Sequence, residues 1–411
     1  MAPEGSQRYI TSQERWEPSP DVLTGIPRRA RAPAQIVAYV PASLDRSSFS
    51  LDADTVAAVV DAENAIRRAQ RYADTAGVST IAQQLLRSEA IASSRMEGID
   101  VPSHRSVAKA IAGDQHRPTA QAAIANIDAV KWIYERAADG QPLTLQAIRD
   151  IHTRLAQADR HISAHAGMIR TRQNWIGHDP DTPVGAEFIP PPARDIERLL
   201  DDLCRYANRA DMPAVVQAAV VHAQFETIHP FADGNGRVGR ALIGATFTRR
   251  GLARAVIPPV SLVLARSRDA YVQALTAWRF DDDGPDRWVR LLAAACETAA
   301  LASEQLASAV TALMGRWREQ AGYPRAGSSA EAIIQALPAA PIISSKRGQQ
   351  ITGASEAATL RALNHLAAAG VLAQVTVGRR NRQWESVGLF ALVDDMERRV
   401  SSGQRGAADT R

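Results

Sequence analysis

The 411-residue chain contains few lysines, cysteines and aromatic residues. Each scarcity disfavours particular kinds of site, binding partner or fold. Its two cysteines, Cys204 and Cys296, are isolated within apolar helical patterns, so neither a disulfide framework nor a zinc site is expected. The only lysines among 48 basic residues are Lys109, Lys131 and Lys346. This excess of arginine over lysine is a bias of the overall composition. The net charge of +4 is therefore weak evidence for nucleic-acid binding.

Long apolar runs are also missing. No run reaches transmembrane length, and the N-terminus lacks the apolar core of a signal peptide. We therefore expect a cytoplasmic protein with no membrane partner. Hydrophobic residues make up 45% of the chain, charged residues 22% and aromatic residues 5%, and alanine is abundant. This composition favours a mainly α globular fold, and the length is typical of two to four domains.

The most informative stretch is His229-Pro-Phe-Ala-Asp-Gly-Asn-Gly-Arg-Val-Gly-Arg240. Apolar segments at residues 219–228 and 241–247 flank it and indicate two buried helices, the second beginning at Gly236 or Arg237. The first N–H groups of a helix lack partners within the helix and carry partial positive charge, so this junction is a potential anion site. Gly234 and Gly236 allow the backbone to approach a ligand closely.

Side chains around this junction add the remaining chemistry. Arg237 and Arg240 lie on one helix face and present planar groups that bind phosphate oxygens. Asp233 offers the hard oxygen that Mg²⁺ prefers, and His229 can accept a proton near neutral pH. The stretch therefore predicts polyphosphate binding beside a general base, which suits transfer of a phosphate-containing group to a hydroxyl.

Two other phosphate-binding patterns are excluded. Residues 234–239 match the glycine spacing of a dinucleotide-binding loop, but that loop follows a strand and needs an acidic residue about 20 positions later. Here a helix precedes the glycines, and Val256-Ile-Pro-Pro-Val260 occupies the later region. A P-loop requires Gly-Lys-Ser/Thr, which the chain lacks.

The stretch resembles the H-x-F-x-[D/E]-G-N-G-R-x-x-R motif of Fic-domain proteins, in the Fic/Doc superfamily. Every specified position is met, and the chain keeps the glycines that the kinase-like Doc branch lacks. The resemblance implies a helical Fic (Fido) domain with a β-hairpin flap, and AMP transfer from ATP to a protein hydroxyl. It also implies specific roles: catalytic base His229; metal ligand Asp233 for Mg²⁺; ATP-binding residues Gly234, Asn235, Gly236, Arg237 and Arg240; packing anchor Phe231.

A second, shorter motif lies upstream at Ser93-Ser-Arg-Met-Glu97-Gly98. It is similar to the [S/T]-x-x-x-E-[G/N] inhibitory helix of Fic proteins, in the subgroup that is inhibited from its own N-terminal region. The resemblance implies that Ser93, Glu97 and Gly98 form an inhibitory element whose glutamate pairs with Arg240. An ordinary helix end at Gly98 is the alternative.

Residues 170–178 and 187–192 are expected to be extended arms around a polar turn. They resemble the β-hairpin flap of the family, whose exposed edge could hold a target segment by backbone pairing. Asn174, Trp175, Ile176 and Gly177 are the predicted docking residues. A plain covering hairpin is the alternative.

Five regions are expected along the chain. They are a disordered arm (1–36), an N-terminal helical extension with the inhibitory helix (37–115), the Fic domain (116–315), a C-terminal winged helix-turn-helix (330–396) and a flexible tail (397–411). Within the extension, periodic patterns predict helices at residues 51–74 and 79–97. In the C-terminal module, helix and strand signals resemble a winged helix, and Arg361, Arg379, Arg380 and Arg382 could contact DNA phosphates. A protein-docking module is equally compatible.

The expected function is a protein adenylyltransferase that uses ATP and Mg²⁺, is restrained through Glu97 and Arg240, and modifies a target protein and itself. Removal of AMP by the same site, transfer of another nucleotide, and an ATP-sensing DNA-binding regulator remain open alternatives. The sequence specifies neither the target protein nor the oligomeric state.

Overall fold

The structure is a computed structural model of the chain. It describes residues 8–18, 32–45, 50–75, 81–113, 118–157, 159, 162–177, 179, 181–375 and 382–403. Within these ranges the chain forms fifteen α-helices and five short strands, which agrees with the expected mainly α fold class. Across the described ranges, no helix is both long and apolar enough to cross a membrane.

Two compact units share the chain. Unit 1 comprises residues 1–59, 132–250 and 269–292, and unit 2 comprises residues 60–131, 251–268 and 293–411. The principal elements of unit 1 are β1 (Tyr9–Trp16), β2 (Ala34–Pro41), α5 (Leu145–Ala156), α6 (Ile196–Ala207), α7 (Ala214–Ile228), α8 (Asn235–Arg249) and α10 (Arg268–Phe280). Boundaries between the units fall inside α1 (Ala53–Thr75), α4 (Pro118–Ala138) and α11 (Gly284–Gln320).

Unit 2 contains the remaining elements. Its helices are α2 (Ala82–Met96), α3 (His104–Ile111), α9 (Val260–Arg266), α12 (Ser329–Ala336), α13 (Ser345–Thr352), α14 (Glu356–Ala368) and α15 (Leu389–Ser402). Strands β3 (Ile342–Ser344), β4 (Leu372–Gln374) and β5 (Gln383–Ser386) form an antiparallel sheet in the order β3-β5-β4. One apolar core joins this C-terminal module to α2 and α11, with Leu85, Trp317 and Trp384 among its members.

At the centre of unit 1 lie α7 and α8. Every residue of α7 is buried, as is α8 from Asn235 to Thr248. Helices that are mainly apolar on all sides belong in the interior of a domain, which explains the predominantly apolar segments on both sides of the junction. The predicted helix–loop–helix is present, and its second helix begins at Asn235, slightly earlier than expected.

The predicted disordered arm is wrong for residues 8–18. Strand β1 pairs in antiparallel register with β2, from Tyr9 opposite Pro41 to Trp16 opposite Ala34. The strand is held by aromatic contacts from elsewhere in the chain: the Tyr9 ring lies 5.4 Å from Tyr39 and 5.7 Å from Phe280. A polar segment of this kind becomes ordered only through such distant partners. Residues 1–7 and 19–31 lie outside the described residues.

Two helix ends also differ from expectation. Helix α2 stops at Met96, so Glu97 is the residue that caps the helix, and Gly98 follows with a positive φ of 75°. The predicted flexible tail is wrong between residues 397 and 402, because α15 continues to Ser402 and buries Met396 and Val400. Residues 404–411, and the Gly378–Asn381 turn of the C-terminal module, lie outside the described residues.

Candidate active site

His229 stands at the turn between α7 and α8 in a left-handed conformation, with φ 50° and ψ 61°. This conformation is uncommon for a residue other than glycine, so neighbouring groups must hold it. The backbone N–H of His229 donates to the carbonyl of Phe225 at 2.9 Å, and Nε of Arg170 donates to the His229 carbonyl at 2.9 Å. Arg170 also donates to the carbonyl of Pro191. The histidine backbone is therefore fixed from both sides.

Burial lowers the pKa of Arg170 to about 10, which leaves its guanidinium charged at neutral pH. Glu226, one helical turn before His229, places a carboxylate oxygen 3.9 Å from Nδ1 of His229. Both side chains are largely buried, with 8% of the Glu226 side chain and 20% of the His229 side chain exposed. A carboxylate beside Nδ1 favours a proton on that nitrogen, which makes Nε2 the basic nitrogen of the ring.

The loop between the helices is closed by Asn235. Its side-chain oxygen accepts from the N–H of Phe231 at 2.9 Å, and its side-chain nitrogen donates to the Phe231 carbonyl at 2.9 Å. The Phe231 ring is fully buried, as expected of a packing anchor. The Asn235 side chain thus serves the loop, and what remains available to an anion is its backbone N–H.

The start of α8 carries the anion site. Gly234 caps the helix with a φ of 80°, and the first intrahelical bond runs from Val238 to Gly234. The N–H groups of Asn235, Gly236 and Arg237 precede that bond and have no acceptor within the helix. Three N–H groups at a helix N-terminus, in a turn that only glycine adopts without strain, form an anion-binding surface.

Both arginines of the stretch are buried, with 3% of Arg237 and 2% of Arg240 exposed. Arg237 forms an ion pair with Asp159, with 2.9 Å between guanidinium nitrogen and carboxylate oxygen. The Asp159 side chain is 8% exposed, so this pair is shielded from water. Asp159 lies 78 positions before its partner in the sequence, and no local pattern marks it.

His152, on α5, is a second residue that the sequence did not mark as functional. Its ring stacks on Phe231, with centroids 3.9 Å apart and planes 6° from parallel. Its Nδ1 accepts from the N–H of Gly167 at 2.9 Å, and its Nε2 lies 3.0 Å from the carbonyl oxygen of Asp233. Burial lowers the pKa of His152, which favours the neutral ring.

The predicted flap is close to this loop. Residues 176 and 188 form an antiparallel bridge, with hydrogen bonds of 2.8 and 3.1 Å in the two directions. Asn174 donates to the carbonyl of Phe231 at 3.1 Å, which connects the first arm of the flap to the loop. Trp175 packs edge-on against Trp16 of β1 at 5.9 Å. The β1–β2 pair therefore supports the flap. The sequence does not predict this contact.

A buried arginine contacts the second arm of the flap, residues 187–192. The guanidinium of Arg279, in α10, lies 4.1 Å from the centre of the Phe188 ring and within 3.4 Å of the Glu226 carbonyl. Burial lowers the pKa of Arg279 to about 10, and the nearby Glu226 opposes that shift. Arg279 thus connects the flap to the helix that carries the histidine.

Asp233 is the one residue of the stretch suited to a metal ion. Its side chain is exposed, and one carboxylate oxygen accepts from the N–H of Gly234 at 2.5 Å. In the described part of the chain, no group of three or more His, Cys, Asp or Glu side chains could hold a metal alone. A single carboxylate fits Mg²⁺, which keeps several waters and takes its other ligands from substrate phosphates.

The upstream motif belongs to unit 2. Ser93 and Ser94 are buried in α2, and Glu97 is exposed. Asn126 of α4 holds the end of the helix by donating to the Ala90 carbonyl at 2.7 Å and to Ser94 Oγ at 2.8 Å. The motif therefore marks a fixed helix end that presents Glu97 at its tip.

A model of the Fic/DOC family matches residues 142–246, which include α5 to α7, the loop and most of α8. A probable protein adenylyltransferase from Aquifex aeolicus is 37% identical over 92 residues, which are 22% of this chain and 26% of that protein. The protein adenylyltransferase Fic of Drosophila ananassae is 28% identical over 269 residues, or 62% of this chain and 49% of that protein. The chain thus spans at most about half the length of these curated relatives.

The fold is also similar to a solved structure. A Fic family protein from Desulfovibrio desulfuricans G20 superposes with a TM-score of 0.52 at 21% sequence identity, covering 83% of this chain and 98% of that one. This similarity shows the helical fold of Fic proteins.

Proposed function

We propose that this chain, whose residues 142–246 form a domain of the Fic/DOC family, is a protein adenylyltransferase that moves AMP from ATP to a protein hydroxyl. One observation carries the proposal: His229 ends a buried helix, and the anion-binding N–H groups begin six residues later in a loop closed by Asn235. A fixed base beside a fixed polyphosphate site supplies what transfer to a hydroxyl requires.

The proposed mechanism follows from this arrangement. Nε2 of His229 takes the proton of a Ser, Thr or Tyr hydroxyl while the oxygen attacks the α-phosphorus of ATP. The new bond joins that oxygen to phosphorus, the bond from the α-phosphorus to the bridging oxygen breaks, and pyrophosphate leaves. N–H groups at the start of α8 stabilise the charge that develops on the α-phosphate. Arg237 and Arg240 hold the β- and γ-phosphates.

Asp233 would hold Mg²⁺ together with the ATP phosphates, and the ion would neutralise charge on the phosphate oxygens. A target segment would pair with the flap edge at Asn174–Gly177, which would bring its hydroxyl to His229. The Asn174 bond to the loop supports this assignment, because it links the position of the edge to the position of the base.

We further propose that Glu97 restrains the enzyme by competing with the γ-phosphate for Arg240. The support is the Ser93–Gly98 motif together with the fixed end of α2, which holds a carboxylate in a defined place. When Glu97 is engaged with Arg240, ATP binds without its productive phosphate orientation.

A second candidate concerns the C-terminal module. Adjacent helices α13 and α14, next to the sheet of β3–β5, expose Lys346, Arg347 and Arg361. This arrangement supports a winged helix that binds DNA, with protein docking as the rival. Deleting the module would expose the core that it shares with α2, so single substitutions are the cleaner test. Gel shifts of Arg347→Ala and Arg361→Ala across salt concentrations should show weaker binding and a smaller salt slope if these side chains contact phosphates.

The enzymatic proposal is tested by incubating the protein with cell lysate and ATP labelled in either the α- or the γ-phosphate. Adenylyl transfer predicts that α-label is retained on protein and γ-label is not. Mass spectrometry of the labelled bands then gives the modified Ser, Thr or Tyr. Retention of γ-label alone would indicate phosphate transfer and would refute the proposal.

A further inference from the structure

The hydrogen bonds of His152 define its tautomer. The backbone N–H of Gly167 can only donate, so Nδ1 of His152 must be an unprotonated acceptor at 2.9 Å. In the neutral ring the proton then lies on Nε2, which donates to the Asp233 carbonyl at 3.0 Å. Because only 1% of His152 is exposed, water cannot replace either partner.

This bond acts on the backbone of the anion loop. The carbonyl of Asp233 and the N–H of Gly234 belong to one planar peptide group, so fixing the direction of one fixes the other. That N–H donates to the Asp233 carboxylate at 2.5 Å. The ring also lies close to Gly234, where an added Cβ would be 3.4 Å from Nε2 of His152. One side chain therefore controls the peptide plane, the carboxylate and the glycine turn.

We infer that His152 is a positioning residue for adenylyl transfer, which orients the Asp233–Gly234 peptide by donating from Nε2 and supports Phe231 by stacking. The inference rests on the proposed function, because His152 orients the Asp233 segment assigned to Mg²⁺ and the Gly234 turn that precedes the N–H groups assigned to the α-phosphate. His152 itself touches neither ATP nor the target hydroxyl in this assignment. Its loss should lower the rate of transfer more than the affinity for nucleotide.

Three substitutions at His152 each remove a different set of the contacts that its ring makes. In His152→Gln the side-chain amide replaces Nε2 and keeps a donor to Asp233, whereas in His152→Asn the amide replaces Nδ1 and keeps an acceptor for Gly167. His152→Phe keeps the stacked ring and removes both hydrogen bonds. The donor contact is the one that orients the anion loop, so His152→Gln should retain more activity than the other two. Loss of one such bond corresponds to about tenfold in kcat.

The matched comparison is between His152→Gln and His152→Asn. Each loses one hydrogen bond, so their thermal midpoints should be similar. A purely structural role predicts that kcat follows the thermal midpoint across the three variants. The positioning role predicts that kcat falls about tenfold further in the Asn variant than in the Gln variant, while KM for ATP changes less.

Two measurements do not depend on transfer. Nitrogen NMR of histidine-labelled protein without nucleotide should show the Nε2–H tautomer for the resonances absent in His152→Gln. Calorimetry with ADP should show that both variants still bind nucleotide. An Nδ1–H tautomer, or equal kcat in the Gln and Asn variants, would overturn the inference. If neither these proteins nor the Glu97→Gly protein transfers AMP, the proposed function fails, while the tautomer result still stands on its own.

Discussion

At the scale of single residues, the site depends on side chains that hold neighbouring backbone groups and side chains in place. The left-handed backbone of His229 costs on the order of 1 kcal/mol, and contacts from Arg170 and Phe225 offset that strain. Arg237 is held by Asp159, and the Asp233 carbonyl by His152. The motif names the groups that are proposed to meet the substrate, and distant residues make its geometry rigid.

His229→Ala should abolish transfer and leave nucleotide binding intact, because the proposed phosphate contacts come from α8 and its arginines. The loss in rate should be at least on the order of a hundredfold, the usual contribution of a general base. ATP calorimetry and a self-modification assay would be run on the same preparation. Transfer at the wild-type rate would remove His229 from its assigned role.

Asp159→Asn should lower the free energy of unfolding by about 3 kcal/mol, because it leaves the buried Arg237 guanidinium without its carboxylate. The matched control is Asp211→Asn, which breaks an exposed pair with Arg209 and should have a much smaller effect on the free energy of unfolding. Urea denaturation of both variants gives the comparison. Equal effects would mean that the buried pair does not contribute to stability.

At the scale of elements, the close approach of helices depends on glycines. Gly244 of α8 faces the ring of Tyr134 in α4, and an added Cβ would lie 2.4 Å from Cζ of that ring. Gly244→Ala should therefore destabilise the protein by about 1–3 kcal/mol through overpacking. Gly315→Ala in α11 is the control, since nothing lies within 4 Å of its added Cβ. That control should be neutral or stabilising by up to about 1 kcal/mol, and the reverse order in urea denaturation would contradict the packing.

Helix α15 of the C-terminal module is connected to α3 by a charged contact. Glu397 lies 2.5 Å from Nε2 of the buried His104. Burial raises the pKa of Glu397. The hydrogen bond and charge interaction with His104, together with a hydrogen bond from Ser88 and the charge of Arg95, outweigh that effect, so the net pKa lies below its ordinary value of 4.5. A lowered folded-state pKa means that the carboxylate stabilises the fold above its unfolded pKa. That contribution is lost as the pH falls through the folded pKa.

Glu397→Gln should therefore cost about 1–3 kcal/mol at pH 7, and the difference from wild type should shrink as the pH falls below 4.5. Urea denaturation at a series of pH values measures this. Glu319→Gln, at an exposed position of α11, controls for the general effect of removing a carboxylate. A difference that persists unchanged at the lowest pH would show that the effect does not come from the Glu397 charge.

Elements with strong local patterns could be predicted from sequence, and those stabilised by distant contacts could not. The buried helices on either side of His229 follow from predominantly apolar segments, and α2 follows from its periodic pattern. Strand β1 was missed because its ordering partners, Tyr39 and Phe280, lie far along the chain. In the site, the motif indicates the residues that are proposed to meet the substrate, whereas His152 and Asp159 carry no local signal.

At the scale of the whole molecule, the proposed catalytic loop after His229 lies in unit 1 and the proposed inhibitory residue in unit 2. Regulation would then depend on the unit that carries α2. The same unit contains the C-terminal module, whose residue Pro338 accepts a 2.6 Å hydrogen bond from Gln84 of α2. The module and α2 therefore share contacts as well as a core.

Glu97→Gly should raise the initial rate of self-modification on the order of a hundredfold, because a bias of a few kcal/mol toward the restrained state would be removed. The Glu97→Gly, Arg240→Ala double variant should lose most of that gain, since the freed arginine is the group that orients ATP. Initial rates with Mg²⁺ and ATP would be compared for the three proteins. A folded Glu97→Gly protein no faster than wild type would make residues 93–98 an ordinary helix end.

The most direct test of adenylyl transfer is the intact mass of the Glu97→Gly protein after incubation with Mg²⁺ and ATP, beside the Glu97→Gly, His229→Ala protein treated identically. Removing Glu97 takes away the proposed restraint, and the second variant removes only the base. We predict a mass increase of one AMP, or of a whole number of AMP groups, in the first protein and none in the second. An increase that corresponds to phosphate, or equal AMP addition to both proteins, would contradict transfer by His229.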